Sequence, residues 1–349
     1  MATSRIWTWR SSASTLPPCP APGCPCSRTR PWRRRSYRRR TSRLRGWRRV
    51  RRFVAVPVAK AKTSSRAVLL TGWARRYRLA DAAMVDFQKI FLQAVAETQG
   101  ALILSRVEEA LAKNDVAGAE AAIDWQQFER ELGALQNPVH DLMTESGKLA
   151  TEDLNKLGFK LLFDIINPRA VAWARDRVGN LIREVSEGTR QAIRQLIAAA
   201  LERGGHPYDT ARRIRQYIGL TERQMRALDN YWERLSIEGL PARRVDEMVD
   251  AYARRLLRDR AKLIARTETI QAAAEGARES WRQAVDAGLL REDEWEREWI
   301  TTEDDRTCEV CLAMDGKRAP INGAYENGSG GPTLHPACRC TEGLRRKEV

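Results

Sequence analysis

At 349 residues with 43% apolar side chains, the chain is long enough for two or more folded units, and its ordinary glycine and proline content excludes a fibrous or wholly disordered polymer. No stretch approaches the roughly eighteen consecutive apolar residues that a membrane-spanning helix needs. The net charge of +16 is unevenly placed: residues 1–80 hold 20 Arg and 2 Lys with no acid, whereas residues 81–349 hold 39 basic and 45 acidic side chains. The body after residue 80 is therefore mildly acidic and gives no general electrostatic case for nucleic-acid binding.

Residues 1–80 alternate Pro-Cys runs (Pro17 to Cys26) with Arg33-Arg34-Arg35 and Arg38-Arg39-Arg40, and scatter Trp7, Trp9, Trp32 and Trp47 without period. Such a segment reads as a disordered basic N-terminal arm, whose arginines could neutralise DNA phosphates without sequence preference. An organelle transit peptide shares its richness in Arg and Ser and its lack of acids. Its lack of local consistency is also what an unselected reading of upstream DNA gives, and translation is expected to begin at Met84. Cys19, Cys24 and Cys26 have no partner histidine and are assigned no metal.

Residues 84–160 read as a helical region, with Phe87, Ile90, Phe91, Val95 and then Ile103, Val107, Leu111 at three- and four-residue spacings. Asn137-Pro138 breaks the run, and His140 is expected to be an exposed first-turn residue rather than a ligand. Residues 161–290 form a second helical part. Asn167-Pro168 opens a helix, Gly204-Gly205 stops it, and His206 is a loop residue before Pro207. Thr221-Glu-Arg-Gln224 is a capping box leading a helix to about Leu235.

After Pro241 comes the longest helix, with Val245, Val249, Tyr252, Leu256, Leu263, Thr267, Ile270, Ala274, Ala277, Trp281 and Ala284 near one face. The sequence leaves open one break between Arg258 and Ala261. Opposite lie Arg254, Arg258, Lys262 and Arg266, each four residues from the last; this row could grip phosphate or an acidic surface, but reads first as a solvated face paired with Asp250 and Asp259.

Residues 291–349 read as a small α+β module. Trp295 to Thr302 has strand-like density, Asp315-Gly316 is a hairpin signal, and Asn327 to Pro332 is a flexible loop. Within it Cys308-Glu-Val-Cys311 precedes His335-Pro-Ala-Cys338-Arg-Cys340, five candidate donors where a tetrahedral Zn²⁺ needs four. The expected ligands are Cys308, Cys311, His335 and Cys338, with Cys340 as the substitute or as a neighbouring thiol. Unligated buried cysteines or a disulfide are the competing readings. A sulfur-rich set tends to be closed, so the metal is expected to be structural: it would staple a module too small to bury much apolar area. The fold class is thus mainly α: a multi-helix body, then a zinc-stapled α+β module.

These motifs also carry a resemblance. Arg260-Ala-Lys-Leu-Ile-Ala-Arg-Thr-Glu268, Ala272-Ala-Ala-Glu-Gly276, Trp299-Ile-Thr-Thr302, Asp304-Asp305-x-x-Cys308-x-x-Cys311, Asp315-Gly316 and His335-Pro-x-Cys-Arg-Cys340 occur in that order. From about Phe163 onward the chain closely resembles the phage Mu protein F-like family of minor head proteins. The resemblance implies a virion or procapsid component present in few copies. It would associate with the portal protein and other head components at the portal vertex, reach packaged DNA through the basic N-terminal arm if that arm is translated, serve head morphogenesis or DNA delivery, act in the host cytoplasm during assembly, and have no membrane partner. Within that signature, Arg266, Thr267 and Glu268 are expected to brace the long helix against the zinc module rather than to do chemistry. The contrasting reading is an enzyme, a zinc-dependent hydrolase or nuclease-like toxin, with Asp304, Asp305 or Glu268 as general base. No second histidine or His-Glu-x-x-His pattern accompanies the cluster.

Overall fold

The computed structural model describes residues 72–202, 204, 206–302 and 306–347, which fall in one unit of the chain. The expected basic arm up to residue 71, with its three cysteines, lies outside the described residues, as do Asp304 and Asp305.

Helix α1 (Trp73–Ala101) begins eleven residues ahead of Met84, so the boundary expected there falls inside a helix. Its inward positions Ala80, Met84, Phe87, Phe91 and Val95 recur at one face, and Arg76 is buried on the same stripe. Helices α2 (Leu104–Ala112), α3 (Val116–Ala121) and α4 (Trp125–Gly133) follow. The last two start at aspartate caps: Asp115 accepts from the Gly118 N–H and Asp124 from the Gln127 N–H, each at 2.8 Å. Helix α5 (Gln136–Lys156) carries Pro138 in its first turn, where the missing N–H is harmless; the proline opens a helix, and His140 beside it is half-buried rather than exposed.

Helix α6 (Pro168–Glu202) begins at the proline, and His206 caps α7 (Pro207–Tyr217) by accepting from the Tyr208 N–H at 3.3 Å, as a loop residue would. Helix α8 (Glu222–Ile237) starts with the expected capping box, the Thr221 hydroxyl and the Gln224 amide each satisfying the other's backbone N–H.

Helix α9 (Ala242–Asp286) runs 45 residues without the break considered near Arg258 to Ala261. It packs along α5 and α1. The inward stripe differs from the expected one: Ala253, Leu257, Ala261 and Ala265 are buried, Leu256 is only half-buried, and Leu263 is 41% exposed. Small residues draw the neighbouring backbones close, and this rotates the larger aliphatics off the contact line. Further along, Gly276 faces α5 so closely that a Cβ there would overlap the Met143 carbonyl oxygen, and the Ser146 hydroxyl donates to the Ala273 carbonyl across the same contact. That contact explains the small-residue motif Ala272 to Gly276.

The chain then makes β1 (Trp295–Ile300), α10 (Glu309–Leu312), β2 (Arg318–Ala319) and β3 (Thr341–Arg346). The strands form one antiparallel sheet in the order β2-β1-β3, with Arg297 opposite Leu344 and Trp299 opposite Glu342. Three apolar clusters result. The largest fills the helical body; a second joins α5 and the end of α9 to Trp295, Ile321 and Leu344; a third gathers Trp299, Met314 and Tyr325 around the cysteines.

Candidate metal centre

Cys308 sits at the N-cap of α10, and its sulfur accepts from the Cys311 N–H at 3.4 Å. This knuckle turns both sulfurs of Cys-x-x-Cys to one side. The backbone donor is the first cause holding the Cys308 thiol below its usual range. Thr301 and Asp315 close the base of the loop, because the Asp315 carboxylate accepts from both the N–H and the hydroxyl of Thr301 at 2.9 Å. Gly316 then donates to Trp299 O at 2.9 Å and leads into β2, which fulfils the hairpin signal with α10 enclosed between the paired strands.

The second ligand cluster is a tight turn. Cys338 N donates to His335 O at 3.1 Å, Pro336 occupies the second position, and Ala337 has φ +62°, the pattern of a type II turn with alanine where glycine is usual. Its N–H is held by the Thr267 hydroxyl of α9 at 3.0 Å. Thr267 therefore braces α9 against this module, as expected of the Arg-Thr-Glu triplet. Glu268 does not: it points the other way, into a bidentate pair with Arg177 of α6 at 2.6 and 2.7 Å, and is 4% exposed. Burial pushes its pKa up against the pull of Arg177. A carboxylate so engaged cannot serve as a general base at the cysteines.

The two clusters meet. His335 Nε2 lies 3.2 Å from Cys308 Sγ and 3.1 Å from Cys311 Sγ, and Cys311 Sγ lies 3.6 Å from Cys338 Sγ. His335 Nδ1 is 2.9 Å from the Pro336 carbonyl oxygen, an acceptor that only an Nδ1–H can satisfy; the Nε2 lone pair is thereby aimed at the sulfurs, the tautomer a ligand needs. That same backbone bond is the first cause raising the His335 pKa. Cys311 belongs to both triads that could hold an ion, Cys308-Cys311-His335 and Cys311-Cys338-Cys340. It is buried, and burial pushes its thiol up to about 12. Cys338 is drawn down to about 5, first by the hydrogen bond from the Cys340 side chain, which is itself pushed up by the same bond.

A tetrahedral metal with bonds of about 2.3 Å to sulfur and 2.0–2.1 Å to nitrogen has ligand-to-ligand edges of roughly 3.5–3.8 Å. The sulfur–sulfur edge falls in that range and the two nitrogen–sulfur edges are a few tenths of an ångström short of it, so the donor set fits a metal ion with little movement.

Beneath the cysteines lies a buried ion network for which no sequence motif had been singled out. Glu342 of β3 sits between Arg278 of α9, at 2.5 Å in an ion contact off the hydrogen-bonding direction, and Arg297 of β1, at 2.9 Å. Both arginines also donate to the Gly330 carbonyl, at 3.1 and 2.8 Å, and the Tyr325 hydroxyl donates to Glu342 at 3.2 Å. Burial works to lower the Arg278 pKa, but Glu342 and Glu275 outweigh it and hold it above the usual value. The loop expected to be flexible is thus pinned at Gly330. At Gly331 a side chain would press on the Arg278 guanidinium and the Glu342 carboxylate, each 3.1 Å from where a Cβ would sit. A signal for the network existed: two-residue alternation places Arg297 on the same strand face as Trp295 and Trp299.

Arg76 reaches the same region from α1, donating to Glu342 O at 3.4 Å and lying over the Trp281 ring at 5.8 Å. Burial brings its pKa down to about 10.

Residues 191–342, from within α6 to the Glu342 of this network, match the family model described as Phage Mu protein F like protein. No curated protein and no solved structure matches the chain. The matched segment is similar to that family over less than half of the chain, with a start later than the Phe163 expected from the motifs. Among the described residues no helix is long and apolar enough to cross a membrane.

Proposed function

We propose that this protein, whose residues 191–342 are a phage Mu protein F-like segment, is a phage minor head protein acting in head morphogenesis at the portal vertex, with a C-terminal module closed by structural zinc. The observation that carries the reading is that the family segment spans α9 and the cysteine module as one unit, joined through Thr267 and the Glu342 network. A module so fixed to a 45-residue helix suits a rigid docking part of an assembly.

Cys308, Cys311, His335 and Cys338 would be the ligands and Cys340 the neighbouring thiol. Supporting this is the chain of short contacts through His335 Nε2 and Cys311 to Cys338. Four protein ligands leave no open position for water, which supports a structural metal over a hydrolytic one. The host cytoplasm, where thiols stay reduced, suits such a site.

Two measurements test the reading. The tagged full chain is co-expressed with the neighbouring head genes of its genome, and heads are purified on a gradient; the chain should co-sediment in a few copies per head and crosslink to the portal protein, and heads free of it would refute the assignment. Metal analysis should give one zinc per chain, lost in Cys338→Ser and kept in Cys340→Ser. The reverse pattern would exchange the roles of the two thiols, and an exchangeable metal-bound water would favour the hydrolase.

A further inference from the structure

Thirteen residues of α9 concentrate positive charge within an otherwise acidic body: Arg254 to Arg266 contain six cations and a single acid, Asp259. The two acids expected to neutralise the row are otherwise engaged. Asp250 accepts from the Gln216 side chain at 2.6 Å, and Asp259 lies 4.0 Å from Arg255, which stands beside the row. Arg254, Arg258 and Lys262 are exposed and Arg266 half-buried, and none of the four forms an ion pair among the described residues. On the opposite, inward face Arg260 is buried with no carboxylate partner among the described residues; it is held by the Gly219 carbonyl at 2.7 Å over the Phe91 ring and takes no part in the row. The groups facing the ends of the row are mixed. Near Arg254 lie Arg215, Gln216 and Asp250, and near Arg266 lie Arg339, Arg306 and Asp81, grouped around Tyr77.

We infer that this row is a binding surface for the phosphate backbone of nucleic acid, used without sequence preference. The four side chains follow one ridge of an unbroken helix, and each step of four residues rises about 6 Å, so long flexible cations can meet successive phosphates of one strand. An acidic protein partner fits less well. Protein interfaces take their affinity from buried aromatic or aliphatic anchors, and the large apolar side chain exposed beside the row is Leu263, at 41%. A phosphate interface needs charge and reach alone. The row ends beside the turn that carries Cys338, shares no residue with the candidate metal ligands, and does not depend on the head-protein reading.

The experiment uses the full chain and a fluorescein-labelled 30-base-pair duplex, with affinity read by anisotropy over a series of salt concentrations. Because residues 1–71 can bind the duplex as well, the result lies in differences. Arg254→Ala/Arg258→Ala/Lys262→Ala should lower the slope of log affinity against log salt by about 2–3, close to 0.9 for each lost phosphate contact. Arg226→Ala/Arg243→Ala/Arg244→Ala, on surface cations already paired with Glu222 and Glu247, should change it by less than about 1. In the unaltered chain the bound duplex should cut acetylation of Lys262 several-fold and leave Lys148 unchanged. An unaltered slope, an equal fall in the control, or Lys262 that stays fully reactive in the complex would overturn the inference. Protection of Lys262 by polyglutamate but not by duplex would also overturn it, in favour of an acidic protein partner.

Discussion

Along the single helix α9 two kinds of burial follow one another. From Val245 to Ala265 the inward positions are aliphatic apart from Arg260, and they feed the large core shared with α1 and α8. From Glu268 to Gln283 the buried positions include Glu268, Glu275, Arg278, Glu279 and Gln283, set among alanines. The first stretch meets other helices, which have apolar faces to offer. The second packs its small residues on α5 and pairs Glu268 and Glu279 with Arg177 and Arg169 of α6, but through Arg278 it also meets a three-stranded sheet whose middle strand is Trp-Glu-Arg-Glu-Trp-Ile, too short of apolar area to hold itself by the hydrophobic effect. Charge pairs and cysteine donors stand where a core would be. Such pairs fix one geometry more than they stabilise it, since desolvation offsets much of their attraction.

The comparison breaks most sharply at Cys311, the donor common to both triads. Cys311→Ser should abolish metal binding, for which structural sites supply on the order of 10 kcal/mol. Residues 295–347 should then lose amide protection while the far-ultraviolet helical signal stays largely intact; loss of both together would mean that the body depends on the module. Acid should act in the same direction, because His335 and the thiols bind metal only when deprotonated. Protons therefore compete, and metal retention should fall as pH drops through the raised His335 range, as a chelator competition at stepped pH would show.

Glu342→Gln leaves Arg278 and Arg297 buried without their shared carboxylate and should cost about 3–5 kcal/mol in denaturant unfolding. A cost below about 1 kcal/mol would mean that the network is not what joins sheet to helix. Gly276→Ala should cost about 1–3 kcal/mol or more, since the methyl must displace the Met143 backbone. Thr221→Ala, which removes a cap from the body alone, should cost about 1 kcal/mol and leave metal content unchanged.

Much of this was legible in the sequence because the deciding signals are local. Pro168, Pro207 and the Thr221 box sit where they mark helix starts, and the five Cys and His residues whose spacing suggests a metal are ones the structure gathers into two triads that share Cys311. What was not legible depends on partners far away in the chain. The inward face of α9 is set by how closely α5 approaches Gly276, which periodicity within α9 does not contain. Glu268 finds Arg177 and Glu342 finds Arg278 across 91 and 64 residues respectively, and no helix-face rule predicts either. The break at Asn137-Pro138 was legible for the same local reason, whereas the half-burial of His140 just after it depends on neighbours that the sequence does not name.

The contact of Arg76 with the Glu342 carbonyl spans 266 residues and ties the first described helix to the last strand. During synthesis the α1 segment emerges long before β3 exists, and until then Asp153 of α5, 3.8 Å away in the folded chain, is the charged partner available to that guanidinium. The last tie of α1 therefore forms only on chain completion, and loss of β3 by premature termination would leave Arg76 without that carbonyl acceptor as well as the sheet incomplete.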